Sequence, residues 1–249
     1  MKRKAFLFIS LLIVIATLLA ACSPAAKKVT VATDATFPPF EYVDANKNIV
    51  GFDIDLMNEI AKTAGFEIEW VNVPFESLLA GMATCQYDAA AAAISITPDR
   101  QAQMLFSEPY LDAGLIVVVQ ESNTTITGLD SLAGMRVAAQ LGTTGEIEAQ
   151  KIPNVVYKPY DSYDLAFLDL INGQIDAVIA DNPVALGFIA ANPGKLKTVG
   201  PVFNNEQYGI AICNTDTELQ AKINTALQAL IDQGFVNELA GKDLAPAAQ

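Results

Sequence analysis

Arg100 lies in a segment whose residue types predict the first turn of a helix. In Thr97-Pro98-Asp99-Arg100, the threonine is a typical N-cap and the proline a typical first helical residue. A cation in a first turn is unfavourably placed relative to the helix dipole unless an anion lies nearby. The guanidinium can hold a carboxylate through two parallel hydrogen bonds, to which helix amides add donors. The alternative is a surface arginine that pairs with Asp99 or Glu108.

Asp181 and Asp34 offer the opposite charge. Asp181 follows a predicted strand and begins a predicted helix, so its ordinary role would be that of an N-cap. Asp34 ends the first predicted strand. The sequence thus places a cation and two anions near predicted strand ends, where α/β proteins bind their ligands.

The composition excludes several classes of site. The 249 residues include no histidine, which removes Ser-His and Cys-His nucleophile pairs, histidine general bases and histidine metal sites. The formal net charge of −13 repels nucleic acid, whose binding depends on cations that neutralise phosphates. We therefore expect no catalytic residue, no metal, no cofactor and no nucleic-acid partner.

The first 22 residues have the features of a secretory signal peptide. Residues 2–4 are basic, residues 6–20 are apolar and uncharged, and small residues precede Cys22. The apolar run is short for a membrane span of about 20 residues. Leu-Ala-Ala-Cys at 19–22 resembles a bacterial lipobox, which implies that Cys22 is lipidated and becomes the new N-terminus. We expect a signal peptide over 1–21 and a lipidated tether over 22–28; a transmembrane anchor and a plain secretory protein are the alternatives.

Two further cysteines, Cys85 and Cys213, leave two possibilities open. In an exported protein such a pair can form a disulfide, and two buried thiols agree with the sequence equally well. Two isolated cysteines are not expected to form a metal site.

Strands and helices alternate along the rest of the chain, which predicts mostly parallel sheets with helices on their faces. Apolar runs and alternating patterns predict strands over 29–33, 66–70, 88–94, 115–119, 135–139, 155–157, 177–180 and 208–212. Helical spacing predicts helices over 52–64, 77–84, 162–171, 183–191 and 218–232, with others starting near 97 and 146. Gly234 is a plausible C-cap of the last of these.

Two such sets of strands and helices, joined by extended stretches, predict two lobes. We expect lobe 1 to comprise residues 29–111 and 209–249, and lobe 2 to comprise residues 115–204. The hinges are expected at about 110–114 and 204–208. Ligands of such folds bind beyond the carboxyl ends of strands, where helix N-termini point.

Seven motifs, spread in order over the whole chain beyond the tether, resemble those of the family 3 solute-binding proteins, which bind polar amino acids for ABC importers. They are residues 33–41 (TDATFPPFE), 51–56 (GFDIDL), 95–100 (SITPDR), 106–110 (FSEPY), 142–145 (GTTG), 181–183 (DNP) and 207–209 (QYG). Each motif alone is weak, but the ordered set is highly specific. The resemblance implies the type II periplasmic-binding-protein fold, an α/β fold with two lobes, each a mostly parallel sheet flanked by helices, joined by two hinge strands.

The resemblance also implies how the two charges of a free amino acid are bound. Arg100 would hold the α-carboxylate, helped by Ser95 and the backbone around Thr143. Asp181 and the carbonyl of Ala93 would hold the α-ammonium; glycine is common at the Ala93 position in relatives. Both charges lose their hydration in a cleft, so both need partners there.

Other residues would contact the rest of the ligand or add donors. Phe37 and Phe75 would sandwich the aliphatic stem and stack on a planar group, with core packing as the alternative. Thr143 and Thr144 match a family loop that places hydroxyl and amide donors on the carboxylate, with helix capping as the alternative.

The far end of the ligand would meet Asp34, with Gln140 nearby. A carboxylate accepts hydrogen bonds from a guanidinium, an ammonium or an amide, and it repels another carboxylate. Glutamine-binding relatives often have lysine at the Gln140 position and histidine at the Ala180 position, and this chain has neither. We therefore expect arginine or another basic amino acid, then glutamine, and we expect glutamate and aspartate to bind poorly.

The expected function is that of an exported, lipid-anchored and monomeric binding protein. It would lie on the outer face of the cytoplasmic membrane or in the periplasm, and its ligand would favour a closed state that ABC permease subunits recognise. An enzyme similar to cyclohexadienyl dehydratase is the alternative. Without histidine, that enzyme would need Asp34, Glu41 or a tyrosine as its general acid or base. The sensing domain of a receptor is a third hypothesis.

Overall fold

The structure, a computed structural model, describes residues 28–244. The predicted signal peptide, Cys22 and most of the predicted tether lie outside the described residues. Within 28–244, no helix has both the length and the apolar character needed to cross a bilayer.

Lobe 1 is built from the first part of the chain and from its end. The elements, numbered along the whole chain, are β1 (Lys28–Thr33), β2 (Thr36–Phe37), β3 (Glu41–Val43), β4 (Ile49–Val50), α1 (Phe52–Ala64), β5 (Glu67–Asn72), α2 (Phe75–Ala83), β6 (Ala89–Ala90), α3 (Pro98–Gln101), β7 (Leu105–Phe106), β15 (Ala211–Ile212), α7 (Thr217–Asp232) and α8 (Phe235–Asp243). The main sheet has the order β5-β1-β6-β15-β7, and β2, β3 and β4 form a small separate sheet.

Lobe 2 is built from the middle of the chain. Its elements are β9 (Leu115–Gln120), a 3₁₀ helix (Leu129–Ser131), β10 (Arg136–Gln140), α4 (Thr144–Lys151), β11 (Val156–Tyr160), α5 (Tyr163–Ile171), β12 (Ala177–Asp181), α6 (Asn182–Ala191) and β13 (Leu196–Phe203). The sheet has the order β11-β10-β12-β9-β13. Five consecutive residues of β9 are buried, as expected for a strand covered on both faces.

The two sheets share one arrangement, which confirms the predicted two-lobed α/β fold. In each sheet the second strand, β1 or β10, has a parallel neighbour on both sides. The other pairings are antiparallel because the chain enters or re-enters the sheet there, so each sheet is mixed rather than uniformly parallel.

The apolar faces of the predicted helices form the core. Ile54, Met57, Ile60 and Ala61 of α1 are all buried, as their helical spacing predicts. Helix α7 packs beside α1 and buries its own apolar residues. Both helices lie against the sheet of lobe 1, α1 next to β5 and α7 next to β7.

Two short strands, β8 (Leu111–Asp112) and β14 (Gln207–Tyr208), run antiparallel where the chain passes between the lobes. The amide of Ala113 donates to the carbonyl of Glu206 at 2.7 Å and ties the two passages together. Gly114 has a φ of +116°, and a Cβ there would lie 2.7 Å from Val202 Cγ1. This close approach requires glycine.

Some elements differ from the sequence prediction, each for a local reason. The predicted strand 88–94 is limited to Ala89–Ala90, because the chain turns before Ala93, whose φ is 46°. The predicted strand 208–212 is divided into β14 and β15. Strand β13 was not among the predicted strands; it contains Gly200 and Pro201, residues typical of turns, and its pairing with β9 shifts register between Val199 and Phe203.

Cys85 and Cys213 form a disulfide, which resolves the two possibilities left open by the sequence. The bond joins the turn after α2 to the end of β15 and closes a loop with a sequence separation of 128 residues. This loop contains the whole of lobe 2. In the chain-entropy account, a crosslink over so long a loop strongly restricts the unfolded chain.

Loss of this disulfide is expected to lower the free energy of unfolding by about 2–5 kcal/mol. The measurement is guanidinium unfolding of the wild type with and without a thiol reductant. The double variant Cys85→Ser, Cys213→Ser should match the reduced wild type and should not respond to reductant. Equal stability of the oxidised and reduced wild type would contradict the prediction.

Candidate functional site

Arg100 is buried at the boundary between the lobes, on the short helix α3. The Thr97 hydroxyl accepts from the Arg100 amide at 3.3 Å, and Pro98 is the first helical residue, as the sequence predicts. Arg100 Nη1 donates to the Ser95 carbonyl at 2.8 Å, and Nη2 donates to the Gly142 carbonyl of lobe 2 at 2.9 Å. Burial lowers the pKa of Arg100, so this cation gains from an anion placed beside it.

Two aromatic rings line the space next to this guanidinium. Phe37 and Phe75 are buried, with ring centroids 6.2 Å apart and planes 18° from parallel. Arg100 Cζ lies 5.4 Å from the centroid of Phe75, a cation–π distance. Tyr163 of lobe 2 packs edge-on against Phe37, with ring centroids 5.2 Å apart. The sequence analysis did not predict Tyr163 as a site residue.

Asp34 is buried after β1 and meets Gln140 of lobe 2. Its Oδ2 accepts from Gln140 Nε2 at 2.8 Å and from the Phe75 amide at 3.2 Å, and its Oδ1 accepts from the Thr36 hydroxyl at 2.9 Å. Burial raises the pKa of Asp34 above its usual value. Gln140 Oε1 is buried and has no hydrogen-bond partner among residues 28–244. This end of the cleft therefore presents acceptors in excess of donors.

Asp181 ends β12 and is buried without capping the helix that follows it. Its Oδ1 has no hydrogen-bond partner within the described part of the chain. Burial, and after it the nearby negative charge of Glu206, raise the pKa of Asp181 to about 7, although the guanidinium of Arg100 lowers it. A cation brought to this carboxylate would restore its ionised form.

Ala93 has a φ of 46°, in the left-handed region that glycine adopts most readily. Its amide donates to Asp53 Oδ2 at 2.7 Å, and the hydroxyl of Tyr110 donates to the same carboxylate at 2.7 Å. Burial raises the pKa of Asp53 to about 6. Asp53 thus fixes the peptide that carries the Ala93 carbonyl; it lies in the GFDIDL motif but was not a candidate residue.

The two threonines of the GTTG motif differ in their contacts. Thr143 caps α4: its hydroxyl donates to the Gln140 carbonyl at 2.7 Å and accepts from the Glu146 amide at 3.2 Å. The hydroxyl of Thr144 donates to Glu206 at 2.7 Å, and the hydroxyl of Ser95 donates to the same carboxylate at 2.6 Å. Glu206 was not among the site residues predicted from the sequence.

These contacts bring the candidate residues together in one cleft between the lobes. The pairs that bridge it directly include Arg100 with Gly142, Asp34 with Gln140, and Phe37 with Tyr163. Among residues 28–244, no group of three or more Cys, Asp or Glu side chains is arranged to hold a metal ion.

The sequence pattern of the bacterial extracellular solute-binding proteins, family 3, matches residues 29–243. The chain belongs to this family. The putative ABC transporter arginine-binding protein 2 of Escherichia coli (strain K12) is 38% identical over 239 residues, which cover 92% of this chain and 97% of that protein. The solved structures similar to this solute-binding protein include an ancestral arginine-binding protein bound to arginine. Its TM-score is 0.85 and its identity 37%, and the match covers 89% of this chain and 100% of that one.

The relatives are amino-acid-binding proteins, two of them named as ABC transporter proteins, and this chain is a solute-binding protein rather than an enzyme. A structure with 31% identity and a TM-score of 0.82 is an ancestral amino acid-binding protein that is a precursor of cyclohexadienyl dehydratase. It covers 88% of this chain and 96% of its own. Even this relative of the enzyme alternative is therefore itself a binding protein.

Asp181→Asn is expected to stabilise the solute-binding protein when no ligand is bound. Because the folded pKa of about 7 lies above the ordinary value of 3.8, proton binding favours the folded state. That contribution is complete below about pH 4 and is lost as the pH rises through about 7. The free energy of unfolding of the variant should therefore exceed that of the wild type by a margin that grows with pH. At about 1.4 kcal/mol per pKa unit, this margin reaches up to about 4 kcal/mol at pH 8.

The measurement is urea unfolding of both proteins at pH 4 and pH 8 without ligand. Taking the difference between the two proteins cancels the titration of Asp34, Asp53 and Glu41, whose pKa values burial also raises. Glu121→Gln, an exposed carboxylate on the same lobe, is the matched control and should show no such gain. A variant that is equally stable relative to wild type at both pH values would refute the assignment.

Proposed function

We propose that the protein is the substrate-binding component of an ABC importer for basic amino acids, with arginine as its preferred ligand. The ligand binds between the lobes and holds them closed, and the closed form is what the permease subunits recognise. The arginine-binding relatives support this proposal, and so does the charge of the cleft.

The balance of charge in the cleft is the observation that carries the proposal. One guanidinium, that of Arg100, is accompanied by the carboxylates of Asp34, Asp181 and Glu206. Arginine brings two cationic groups and one anionic group, so it offsets the excess negative charge. Glutamine brings one cationic and one anionic group, so it leaves the excess negative charge unchanged. Glutamate brings a second anionic group and increases this excess.

The α-amino-acid end of the ligand fits the pair Arg100 and Asp181. Arg100 binds the α-carboxylate, with the main-chain amide of Thr144 as a further donor at the start of α4. The α-ammonium binds to Asp181 Oδ1, a buried acceptor that has no partner within residues 28–244, and to the Ala93 carbonyl. Each charge that the protein buries then faces an opposite charge on the ligand.

The side chain of the ligand fits the aromatic pair and the acceptors beyond it. Phe37 and Phe75 provide apolar faces for the methylene stem and the planar guanidinium. The guanidinium reaches Asp34 and Gln140 Oε1, both acceptors. Glutamine is the second candidate because Asp34 already accepts from a primary amide, that of Gln140, at 2.8 Å.

A comparison of ligands, with a variant of Asp34, tests this function. In calorimetry and thermal-shift measurements, arginine should bind most tightly, then lysine, then glutamine, and glutamate should not bind. Asp34→Asn should weaken arginine binding about tenfold or more, because a hydrogen bond to a charged group is lost, and should change glutamine binding less.

Asp161→Asn is the matched control for this variant. Asp161 is exposed at the mouth of the cavity beside Asp34, so it reports the general effect of removing a nearby negative charge. Its arginine affinity should remain close to that of the wild type. Preferred binding of glutamate or of a sugar would overturn the proposed function.

We also propose that the protein is a lipoprotein anchored through Cys22, on the basis of the Leu-Ala-Ala-Cys sequence at 19–22. More than one acyl chain on this cysteine would give stable attachment, whereas a single chain gives marginal attachment. In a bacterial host, wild-type protein should incorporate labelled palmitate and sediment with membranes, and Cys22→Ser should do neither. Labelling of the variant would exclude Cys22 as the acylated residue.

A further inference from the structure

Glu206 is fixed at the passage between the lobes by contacts on both sides of it. Its carbonyl accepts from the Ala113 amide at 2.7 Å, and its Oε1 accepts from the side-chain amide of Asn204. The Oδ1 of Asn204 in turn accepts from the Leu115 amide at 3.1 Å. The orientation of the Asn204 amide group is therefore set, with its NH₂ directed at Glu206.

The other oxygen of this carboxylate joins the two lobes. Glu206 Oε2 accepts from the Ser95 hydroxyl of lobe 1 at 2.6 Å and from the Thr144 hydroxyl of lobe 2 at 2.7 Å. Ser95 and Thr144 are buried. Both are residues that the family resemblance assigns to the ligand, so Glu206 contacts the site through two of its members.

A hydroxyl group carries one proton and two lone pairs. Because Ser95 and Thr144 both give their proton to Glu206, each has only lone pairs left for a ligand. Lone pairs attract an ammonium and repel a carboxylate. This differs from the role that the resemblance implies for the two hydroxyls, which is to donate to the α-carboxylate.

We propose that Glu206 is a positioning residue that takes the protons of Ser95 and Thr144 and thereby makes both hydroxyls acceptors for the α-ammonium of the ligand. The inference rests on the proposed function, since it concerns how that ligand is recognised. Asp181 lies near Glu206, and its Oδ1, which has no hydrogen-bond partner among residues 28–244, is a third acceptor there. The negative charge of Glu206 also contributes to the raised pKa of Asp181, which agrees with a site built for a cation.

The test is a thermodynamic cycle with two ligands and two proteins. The ligands are arginine and 5-guanidinopentanoic acid, which is arginine without its α-amino group. The proteins are the wild type and Glu206→Gln. In the variant, the fixed NH₂ of Asn204 holds the glutamine carbonyl, so the glutamine NH₂ faces the two hydroxyls and turns their protons towards the ligand.

Calorimetry should show that Glu206→Gln weakens arginine binding about tenfold or more, which corresponds to about 1.4 kcal/mol. Binding of 5-guanidinopentanoic acid should weaken by less than about threefold, because this ligand has no α-ammonium for the two hydroxyls to contact. Equal losses for both ligands would mean that Glu206 only holds the lobes together, and would overturn the proposal. So would unchanged arginine binding.

Two further variants keep the outcome unambiguous. Asn205→Ala, an exposed neighbour on the same passage, should leave both affinities unchanged. Ser95→Ala removes one of the two hydroxyl acceptors and should weaken the binding of arginine more than that of 5-guanidinopentanoic acid. Equal losses for both ligands would overturn the proposal. If Glu206→Gln fails to fold, the result for Ser95→Ala alone decides. Failure of the wild type to bind arginine would instead contradict the proposed function.

Discussion

The loss of hydration by charged groups in the cleft is the constraint on which the rest of the structure depends. Arg100, Asp34 and Asp181 are all buried, and a buried charge is tolerated only when partners replace the water that it loses. In the closed arrangement the protein supplies part of this replacement itself, through the carbonyls that Arg100 contacts and the amide that Gln140 gives to Asp34. Asp181 Oδ1 and Gln140 Oε1 stay without partners in the described chain, one near each end of the cleft.

The fold meets this constraint by directing the ends of parallel strands from two sheets into one cleft. Asp34 follows β1 and Gln140 ends β10, and each of these strands is the one with parallel neighbours on both sides. Asp181 ends β12, beside β10. Because the carboxyl ends of parallel strands share one edge of a sheet, side chains far apart in the sequence meet there, and helix N-termini add amide donors. The pairing of Asp34 with Gln140 joins the two edges.

The strand-end positions of these residues follow from local patterns: a strand pattern precedes each of them, and a helix start follows Gln140 and Asp181. Glu206 escaped prediction because it lies in a polar run, Asn204-Asn205-Glu206, with no periodicity, and its contacts depend on how two distant chain passages meet. Tyr163 resembles any apolar residue at a helix start, and nothing local indicates that it faces Phe37. The extent of β6 was misjudged and β13 was not predicted, since the turn at Ala93 and the register shift after Val199 are tertiary features.

Selectivity for the ligand follows from what it must displace. The closed lobes already share hydrogen bonds between Arg100 and Gly142 and between Asp34 and Gln140, so a ligand gains only the difference between its own bonds and those it replaces. A guanidinium has five N–H donors in a planar fork, and it can satisfy Asp34 and Gln140 Oε1 together. The primary amide of a glutamine ligand has two N–H donors. If it replaces the amide of Gln140, it largely reproduces the hydrogen bond that Asp34 already accepts. The proposed preference for arginine over glutamine therefore rests on the number of donors as well as on charge.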